Sequence, residues 1–403
     1  MSIRAGQILT NGGTFVIDRI QASTPGLNIP EEKIYELGNF ETLEILRDIP
    51  DLSFDLETLD TSCELEALAC GVNPAFVAAG QEFDLALQSQ PLDITSPWKQ
   101  SQGVFTAVAG LVIPCLAFES ATYRFGVGQS STQAMSFRGD AIYICQGGAP
   151  RYQVFAANGA TTHTFAVSPA IKTVEQGANL YAYSVHVRYV DGTYRRLFLG
   201  DDYTNTATGF TILDAAKAPA GAFIHVTYAA GTLTSSQAAH AAISTKPSAV
   251  RGKDIDVYLS NGAATPVLAR LTDLQSAELN LRLNLDVTQE LGNQHNVSSD
   301  YDSADLTGSL TMKPRDIDAL MDLAAQVGGV SGTDTINASS SVALELHIGI
   351  NHPTTGTRLK TFIVEDARFK PPIGAMQANS RLEVPLPFTS DSGSLTVVNG
   401  TPL

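Results

Sequence analysis

Apolar and polar residues alternate along much of this chain, and a period of two residues predicts β-strands. The stretch Tyr181–Val190 alternates clearly, and the Asp191-Gly192 pair that follows it is a strong signal for a hairpin turn. Tyr194–Leu199 is then the predicted return strand, and Phe223–Tyr228 is a further strand. The pattern as a whole predicts a mainly β protein.

One strand pattern occurs twice in the sequence. Arg19–Asn39, RIQASTPGLNIPEEKIYELGN, aligns without a gap with Asp273–Asn293, DLQSAELNLRLNLDVTQELGN. Gln21 meets Gln275, and the tetrapeptide ELGN recurs at an offset of 254 residues (292 − 38). Ordered self-similarity of this kind indicates an internal repeat, so the sequence predicts two copies of one domain. Chance similarity between two amphipathic strands is the alternative.

A helical pattern follows the repeated strands in both copies. In the first, Thr61–Glu64 has the spacing of a capping box, and Gly71 is placed to end the helix in a left-handed conformation. In the second, Ile317–Gly328 carries an apolar stripe at helical spacing. A last pair of similar blocks, in which Ala121 meets Ala367, closes each copy.

These blocks divide the chain of 403 residues, which is too long for one compact core, into three predicted domains. We refer to residues 1–148 as the first copy, to residues 149–251 as the inserted domain and to residues 252–403 as the second copy. The inserted domain is predicted to be a small β-sandwich because its strands form a self-contained, turn-rich set. Gly231–Lys253 is the predicted linker into the second copy.

Composition narrows the classes of function. The chain has 41 acidic and 25 basic residues, and a formal net charge of −16 argues against binding that depends on neutralising phosphates. No apolar run approaches the roughly 20 residues of a membrane span, so we expect no membrane insertion. The N-terminal stretch lacks the apolar core of a signal peptide. The four cysteines show no metal-binding spacing, which favours buried free thiols in a reducing cytoplasm.

No motif in the sequence predicts catalysis, a cofactor or a metal site. There is no phosphate-binding Gly-Lys-Ser/Thr loop, no H-E-x-x-H and no calcium loop. Gly126–Gly128 is only a fragment of a dinucleotide fingerprint, and Asp201-Asp202 is typical of a turn. His186 and His225 lie in predicted strands, where a structural role is favoured. We therefore expect a protein that is not an enzyme.

With its duplicated β-rich domain, its one helix per copy and its lack of catalytic motifs, the chain resembles the tail tube, or major tail, proteins of long-tailed bacteriophages. The resemblance covers about residues 3–145 and 254–398 and lies in the order of strands and helix. It implies two tandem β-sandwich/barrel tube domains, each with a short helix, and a decoration role for the inserted domain. In that family an extra domain is often terminal, so its position here leaves its place on a tube open.

The resemblance implies a structural virion protein of the phage tail that is assembled in the host bacterial cytoplasm. Three chains would form a homotrimeric ring with six tube domains, and stacked rings would form a hollow tube through which DNA passes non-specifically. Other partners would be the tape measure, baseplate and tail terminator proteins. Candidate lumen-lining residues are the polar positions of the alternating strands: Glu57, Asn280, Arg282, Asn284 and Asp286. Periodicity defines two faces of a strand but not which one lines a channel.

The predicted hairpin tips, Asn39–Asp51 and Asn293–Asp305, differ most between the copies, as expected where partners differ. We predict that both tips contact the neighbouring ring; the candidate residues are Leu43, Ile45, Leu46, His295, Val297 and Tyr301. For the first tip the alternative is that its aliphatic residues cover their own core. Two other functions stay open: a phage baseplate or head–tail connector component, and an adhesion or carbohydrate-binding β-sandwich protein.

Overall fold

The structure is a computed structural model that describes most of the chain. The described residues are 3–5, 9–10, 15–17, 19–35, 42–59, 62–72, 77–100, 107–146, 149–157, 163–166, 182–191, 193–206, 208–230, 250–260, 269–291, 295–313, 343–370 and 383–400. Over these residues the protein is mainly antiparallel β-sheet with a single short α-helix, so the mainly β prediction is confirmed.

The described elements follow the predicted order of strands and helix. In the first copy they are β1 (Ile3–Ala5), β2 (Leu9–Thr10), β3 (Phe15–Val16), β4 (Ile20–Asn28), β5 (Glu31–Tyr35), β6 (Thr42–Arg47), β7 (Asp51–Thr58), α1 (Glu64–Ala69), β8 (Glu82–Asp84), β9 (Leu92–Gln100), β10 (Ala107–Gly126), β11 (Thr132–Gly139) and β12 (Tyr143–Gln146). In the inserted domain they are β13 (Ala149–Ala156), β14 (His163–Ala166), β15 (Ala182–Arg188), β16 (Tyr194–Arg196), β17 (Tyr203–Thr206), β18 (Gly209–Ile212) and β19 (Phe223–Ala230). In the second copy they are β20 (Ile255–Ser260), β21 (Ala269–Arg270), β22 (Leu274–Thr288), β23 (Ser298–Met312), β24 (Leu344–Asn351), β25 (Arg358–Phe369), β26 (Val384–Ser390) and β27 (Leu395–Asn399).

Eight antiparallel strands from both copies form one continuous sheet, which we call the shared sheet. Its order is β4-β7-β11-β10-β22-β23-β26-β25. The first four strands come from the first copy and the last four from the second. The junction between the copies is therefore a pairing of two strands, β10 with β22.

Each copy also has an outer sheet that packs behind the shared one. In the first copy β9 pairs with β1, β2 and β10, and β12 pairs with the other side of β10. In the second copy the order is β20-β24-β25-β27, and β8 of the first copy extends this sheet. The strands β10 and β25 belong to both layers, and each bends where a non-glycine residue, Cys115 or Asp366, has a positive φ near 50° (54° and 51°).

The two copies repeat each other in backbone detail. Arg19 and Asp273 have φ values of 58° and 59°, and the side-chain amide that lies two residues later donates back to their carbonyl oxygens, Gln21 to Arg19 at 3.1 Å and Gln275 to Asp273 at 3.4 Å. Leu27 pairs with Leu52 just as, 254 residues on, Leu281 pairs with Leu306. Over residues 19–28 and 273–282 the aligned stretches thus have the same backbone structure, and the gapless alignment holds there.

Two details of the sequence interpretation were wrong. The last blocks match at an offset of 251 residues (366 − 115), because the positive-φ residues Cys115 and Asp366 correspond; Leu116, not Ala121, therefore matches Ala367. The N-cap of α1 is Cys63, which makes no side-chain capping bond, whereas the predicted capping box places Thr61 at the start of the helix; Thr61 itself lies outside the described residues. Gly71 ends α1 with φ 68°, as expected.

The copies share one hydrophobic core, whereas the inserted domain has its own. The shared core lies between the shared and outer sheets and includes Phe118, Leu281 and Phe362. The inserted domain packs a four-stranded sheet, β13-β19-β15-β16, and a three-stranded sheet, β14-β18-β17, around a separate core. The predicted hairpin of β15 and β16 is present. The domain boundaries themselves stay a prediction.

Some predictions fall outside the described residues. These are the second helix at Ile317–Gly328, the two ELGN segments in part, and most of the linker after the inserted domain. Among the described residues, no helix is long and apolar enough to cross a membrane.

Candidate assembly surfaces

One face of the shared sheet is polar because its strands alternate and only the other face packs on the core. In β7 every second side chain is exposed, and Glu57 is one of these. In β22 the residues Asn280, Arg282, Asn284 and Asp286 lie on one face, and the leucines between them point to the opposite face. The structure therefore brings the four predicted lining residues of β22 onto a single surface.

Glu57 belongs to the same surface, although it comes from the other copy. Directly opposed residues lead from Glu57 to Ala134, then to Thr122, and then to Asn280 across the junction of the copies. Opposed residues of antiparallel strands point to the same side of a sheet. We call this surface the polar face. Whether it lines a channel stays a prediction.

The polar face carries charges of both signs, and its arginines lie beside carboxylates. Arg124 contacts Glu278 at 3.3 Å and Arg138 contacts Asp51 at 2.9 Å, in ion pairs that are largely open to solvent. The hydrogen bond to Asp51 raises the pKa of Arg138. Such exposed pairs contribute little to stability. These arginines lie on β10 and β11, which alternate in the same way as β22, but the predicted lining residues were confined to β7 and β22.

The seam between the copies, formed by β10 and β22, is a complete antiparallel pairing. Residues Ser120–Gly126 run opposite Ser276–Arg282 without a register shift. On the polar face the Thr122 hydroxyl donates to Asn280 Oδ1 at 2.9 Å. On the core face Ala121 opposes Leu281, and both are buried. In the second copy, the counterpart of Ser120–Gly126 is residues 371–377, which lie outside the described residues.

The edge strand β4 corresponds to β22 but pairs only with β7 within the described part of the chain. Leu27 is 47% exposed, whereas its counterpart Leu281 is 1% exposed. Ile29 is 42% exposed, and its counterpart Leu283 is 1% exposed. The difference arises because β10 and the layers behind it cover β22, and no described strand does the same for β4. Unpaired edges with large apolar side chains are sites for pairing with another chain.

A buried ion pair joins the copies behind the seam. Glu66 of α1 and Lys360 of β25 are in contact, and their side chains are 0% and 1% exposed. Lys360 also donates to the Ser62 carbonyl oxygen at 3.0 Å, while Tyr123 and Gln133 donate to the same Glu66 oxygen at 3.0 and 2.9 Å. No local sequence pattern predicts this pair, because Glu66 and Lys360 are 294 residues apart in the chain.

The hairpin of the first copy separates from the shared sheet as an arm. Pro30 and Pro50 lack the N–H of a ladder, and β5 and β6 beyond them form a two-stranded sheet of their own. Ile45 and Leu46, which were predicted to contact a neighbouring ring, are each 45% exposed. They therefore do not cover their own core. Leu43 lies on β6, but its side chain is outside what the structure describes.

The hairpin of the second copy has no such break. Strands β22 and β23 continue to Thr288 and Ser298, with only a bulge where the first copy has its prolines. Among the predicted contact residues at its tip, Val297 is buried and Tyr301 packs against the shared core. His295 lies 3.6 Å from Asp140 of the first copy. Val297 and Tyr301 are thus committed to contacts within the chain, and the ring contact predicted for this tip is without support from their surroundings.

The inserted domain binds the first copy through a polar, buried interface. The Thr227 hydroxyl donates to Asp93, and the Cys115 thiol lies 3.0 Å from the Ser184 hydroxyl and 3.7 Å from His186 Nδ1. Burial raises the pKa of the Cys115 thiol to about 12, so the thiol stays protonated at neutral pH and is a poor nucleophile. In the described parts of the chain, no three metal-binding side chains lie close enough together to hold an ion.

Comparison with known proteins adds little to this description. No protein-family model matches the sequence, and no curated protein matches it. Among solved structures, a chain of the anti-feeding prophage baseplate, solved by cryo-EM with 6-fold symmetrisation, matches 40% of this chain and 100% of its own length. The sequence identity is 13% and the TM-score is 0.28, which does not establish a common fold.

Proposed function

We infer that this chain is a structural subunit of a phage tail or a related tube, and that it forms closed rings by joining edge to edge. The observation that carries this proposal is the seam within the chain. Strand β22 is paired on both sides. Its counterpart β4 pairs only with β7 in the described part of the chain, and it carries two exposed aliphatic residues. In the proposed ring, the segment that follows β25 in one chain would pair with β4 of the next chain, which would repeat the junction that the chain already contains.

A junction that repeats from chain to chain is a head-to-tail contact, which forms either a closed ring or an open filament. The ring is the form that we propose. A ring of three chains holds six copies and 24 strands of the shared sheet, eight from each chain. At about 4.8 Å between strands the backbone circle is roughly 37 Å across, and strand tilt widens it further. With the polar face inward, this leaves a channel wider than a DNA duplex.

The chemistry of the polar face suits a channel that conducts DNA without binding it. Its arginines face carboxylates of the same sheet, so they offer few free charges to phosphates. On the opposite face of the shared sheet, every second side chain is apolar and packs in the shared core, which keeps the sheet rigid. Stacked rings of this kind form a tube, and a component that forms one ring without stacking fits a baseplate or a connector instead.

Electron microscopy of the purified chain tests the proposal, with mass measurement of the rings. We expect hollow rings of three chains for the wild type. Leu27→Lys places a charge on the open edge, so we expect a folded single chain. Leu199→Lys is the matched control, because Leu199 is similarly exposed (49%) on the inserted domain, and we expect it to form rings. A wild type that stays a single chain at high concentration would favour the adhesion or carbohydrate-binding alternative.

A further inference from the structure

The two copies carry equivalent hairpins that differ in what holds them. The hairpin of the first copy, β5 and β6, is an exposed arm. In the second copy, the described residues 289–291 and 295–297 between β22 and β23, which we call the second hairpin, lie against the inserted domain. We propose that the inserted domain is a brace that retains the second hairpin, so that each chain presents one arm, the first, for docking on another copy of this chain. The inference has two parts, the brace and the docking of the arm on another copy. The second part, which we call the docking half, rests on the proposed function.

The brace is centred on one carboxylate. Asp140, just after β11, accepts two bonds from Arg196 Nη1 at 2.9 and 3.0 Å, and both side chains are almost fully buried. Asp140 Oδ2 also accepts the backbone N–H of Asn296 at 2.6 Å. The backbone N–H of Arg196 donates to the Val297 carbonyl oxygen at 2.9 Å. The first copy, the inserted domain and the second hairpin therefore meet at Asp140.

The charge state of the brace is suited to holding a backbone segment. Burial alone would raise the pKa of Asp140, but His295 and Arg196 lower it overall, so the carboxylate is charged at neutral pH. A charged acceptor forms the stronger kind of hydrogen bond with a backbone N–H. Asp140 belongs to the first copy and Arg196 to the inserted domain. Loss of the arginine would leave a buried carboxylate without its main partner. The second hairpin is therefore fixed by the inserted domain and not by its own sheet alone.

The first arm has no comparable anchor in its described contacts. Its described hydrogen bonds lie within the hairpin, as in the Arg47–Glu31 pair at 3.1 Å, or at its base, where the Asp48 N–H donates to the Pro30 carbonyl oxygen at 3.1 Å. Its apolar residues Tyr35, Ile45 and Leu46 are exposed. Exposed apolar side chains on both faces of a projecting hairpin are typical of a segment that another protein covers.

The seam identifies the occupant of the arm. The second hairpin crosses the seam and contacts the copy that precedes it, at Asp140. When the same junction forms at β4, the first arm lies beside the second copy of a neighbouring chain. The occupant that we assign to the arm is a copy of this chain in the next ring of a stack. Three arms per ring, rather than six, follow from one brace in each chain.

Amide hydrogen exchange of the full chain tests the brace. We expect Arg196→Met to raise the exchange rate of the amides of residues 295–297 at least about tenfold, the size of change that accompanies local opening. Arg270→Met is the control, since the exposed Arg270 pairs with Asp256 at 2.6 Å and does not contact the second hairpin, and we expect no change in the exchange of residues 295–297. Equal rates in the two variants would overturn the brace.

A second pair of variants covers the case in which Arg196→Met does not fold. Asn296→Pro removes the N–H that Asp140 accepts, and Asn296→Ala keeps it. We expect rapid exchange of Val297 and protease cleavage near the exposed Leu291 only in the proline variant. Cleavage at the same rate in both variants would show that the hydrogen bond to Asp140 does not hold the hairpin.

The docking half is tested by matched substitutions in the two hairpins. We expect Ile45→Ser with Leu46→Ser to leave single rings intact and to abolish longer assemblies in electron micrographs. Leu291→Ser, in the fully exposed part of the second hairpin, should leave both unchanged. Equal effects would overturn the one-arm proposal. A wild type without rings would remove the docking half together with the proposed function, whereas the exchange result would stand independently.

Discussion

Replacing Lys360 with methionine tests how the two copies are held together. The side chains of Lys360 and Glu66 are 1% and 0% exposed, so the substitution leaves a carboxylate buried between the copies without its cation. Two hydrogen bonds from Tyr123 and Gln133 remain. Breaking a buried pair in this way costs about 3–5 kcal/mol of unfolding free energy, much more than the pair itself adds to stability.

The measurement is urea unfolding, with the change in free energy taken from the shift in midpoint at a constant slope. Lys313→Met is the control, because the exposed Lys313–Glu383 pair has the same chemistry at the surface and should cost about 0–1 kcal/mol. Adding Glu66→Gln to Lys360→Met removes the lone charge and keeps an acceptor for Tyr123. We expect this double variant to regain most of the lost stability.

One result would refute the reasoning. If Lys360→Met costs no more than Lys313→Met, then an unpaired buried carboxylate at Glu66 is not a source of instability and the argument fails. A double variant that is as unstable as the single one would mean that the loss comes from packing of the lysine stem rather than from the unpaired charge.

Two further predictions concern stability. Burial lowers the pKa of His225 to about 2, and because this is below the unfolded value of about 6.5, its stabilising contribution is complete above pH 6.5 and declines as the pH falls toward 2. Between pH 7 and pH 5 the loss is about 2 kcal/mol for this residue, and His225→Asn should show a correspondingly smaller pH dependence in urea unfolding; an identical dependence contradicts the prediction. Gly308→Ala would place its Cβ 2.3 Å from the Phe388 ring and 2.5 Å from the Glu278 carbonyl oxygen, so we expect a loss of about 1–3 kcal/mol. Gly26→Ala, which meets only a flexible hydroxyl group, should change the unfolding midpoint little, and equal losses would argue against the clash.

The repeated strands could be predicted from the sequence because their signals are local. The alternation of β22 defines its two faces, and the matched glutamines Gln21 and Gln275 make the same backbone contact in both copies. The bends at Cys115 and Asp366 could not be predicted in this way. A positive φ is usually marked by glycine, and neither position has one, so the offset of the last blocks was five residues out.

The assembly surfaces depended on contacts that no local pattern encodes. Asp140 and Arg196 are 56 residues apart, and Asn296 is a further hundred residues along the chain, so their meeting follows from the fold alone. Leu27 and Leu281 are leucines at matching positions of the aligned stretches, yet Leu27 is exposed and Leu281 is buried. Sequence periodicity assigns both to the core face, and only the tertiary structure shows which of them still lacks a neighbour.

The pairing of arginines with carboxylates on the polar face has a consequence for movement along a tube. Arg124 and Arg138 contact Glu278 and Asp51, and Arg282 lies opposite Asp305. When a DNA phosphate binds one of these arginines, the DNA releases a cation, but the carboxylate that loses its arginine binds another. The net release of counterions is therefore small. In the proposed ring, the attraction between DNA and wall would therefore depend little on salt. The genome would meet a surface of nearly uniform energy from ring to ring, and resistance to its passage would come from solvent drag rather than from a series of binding sites.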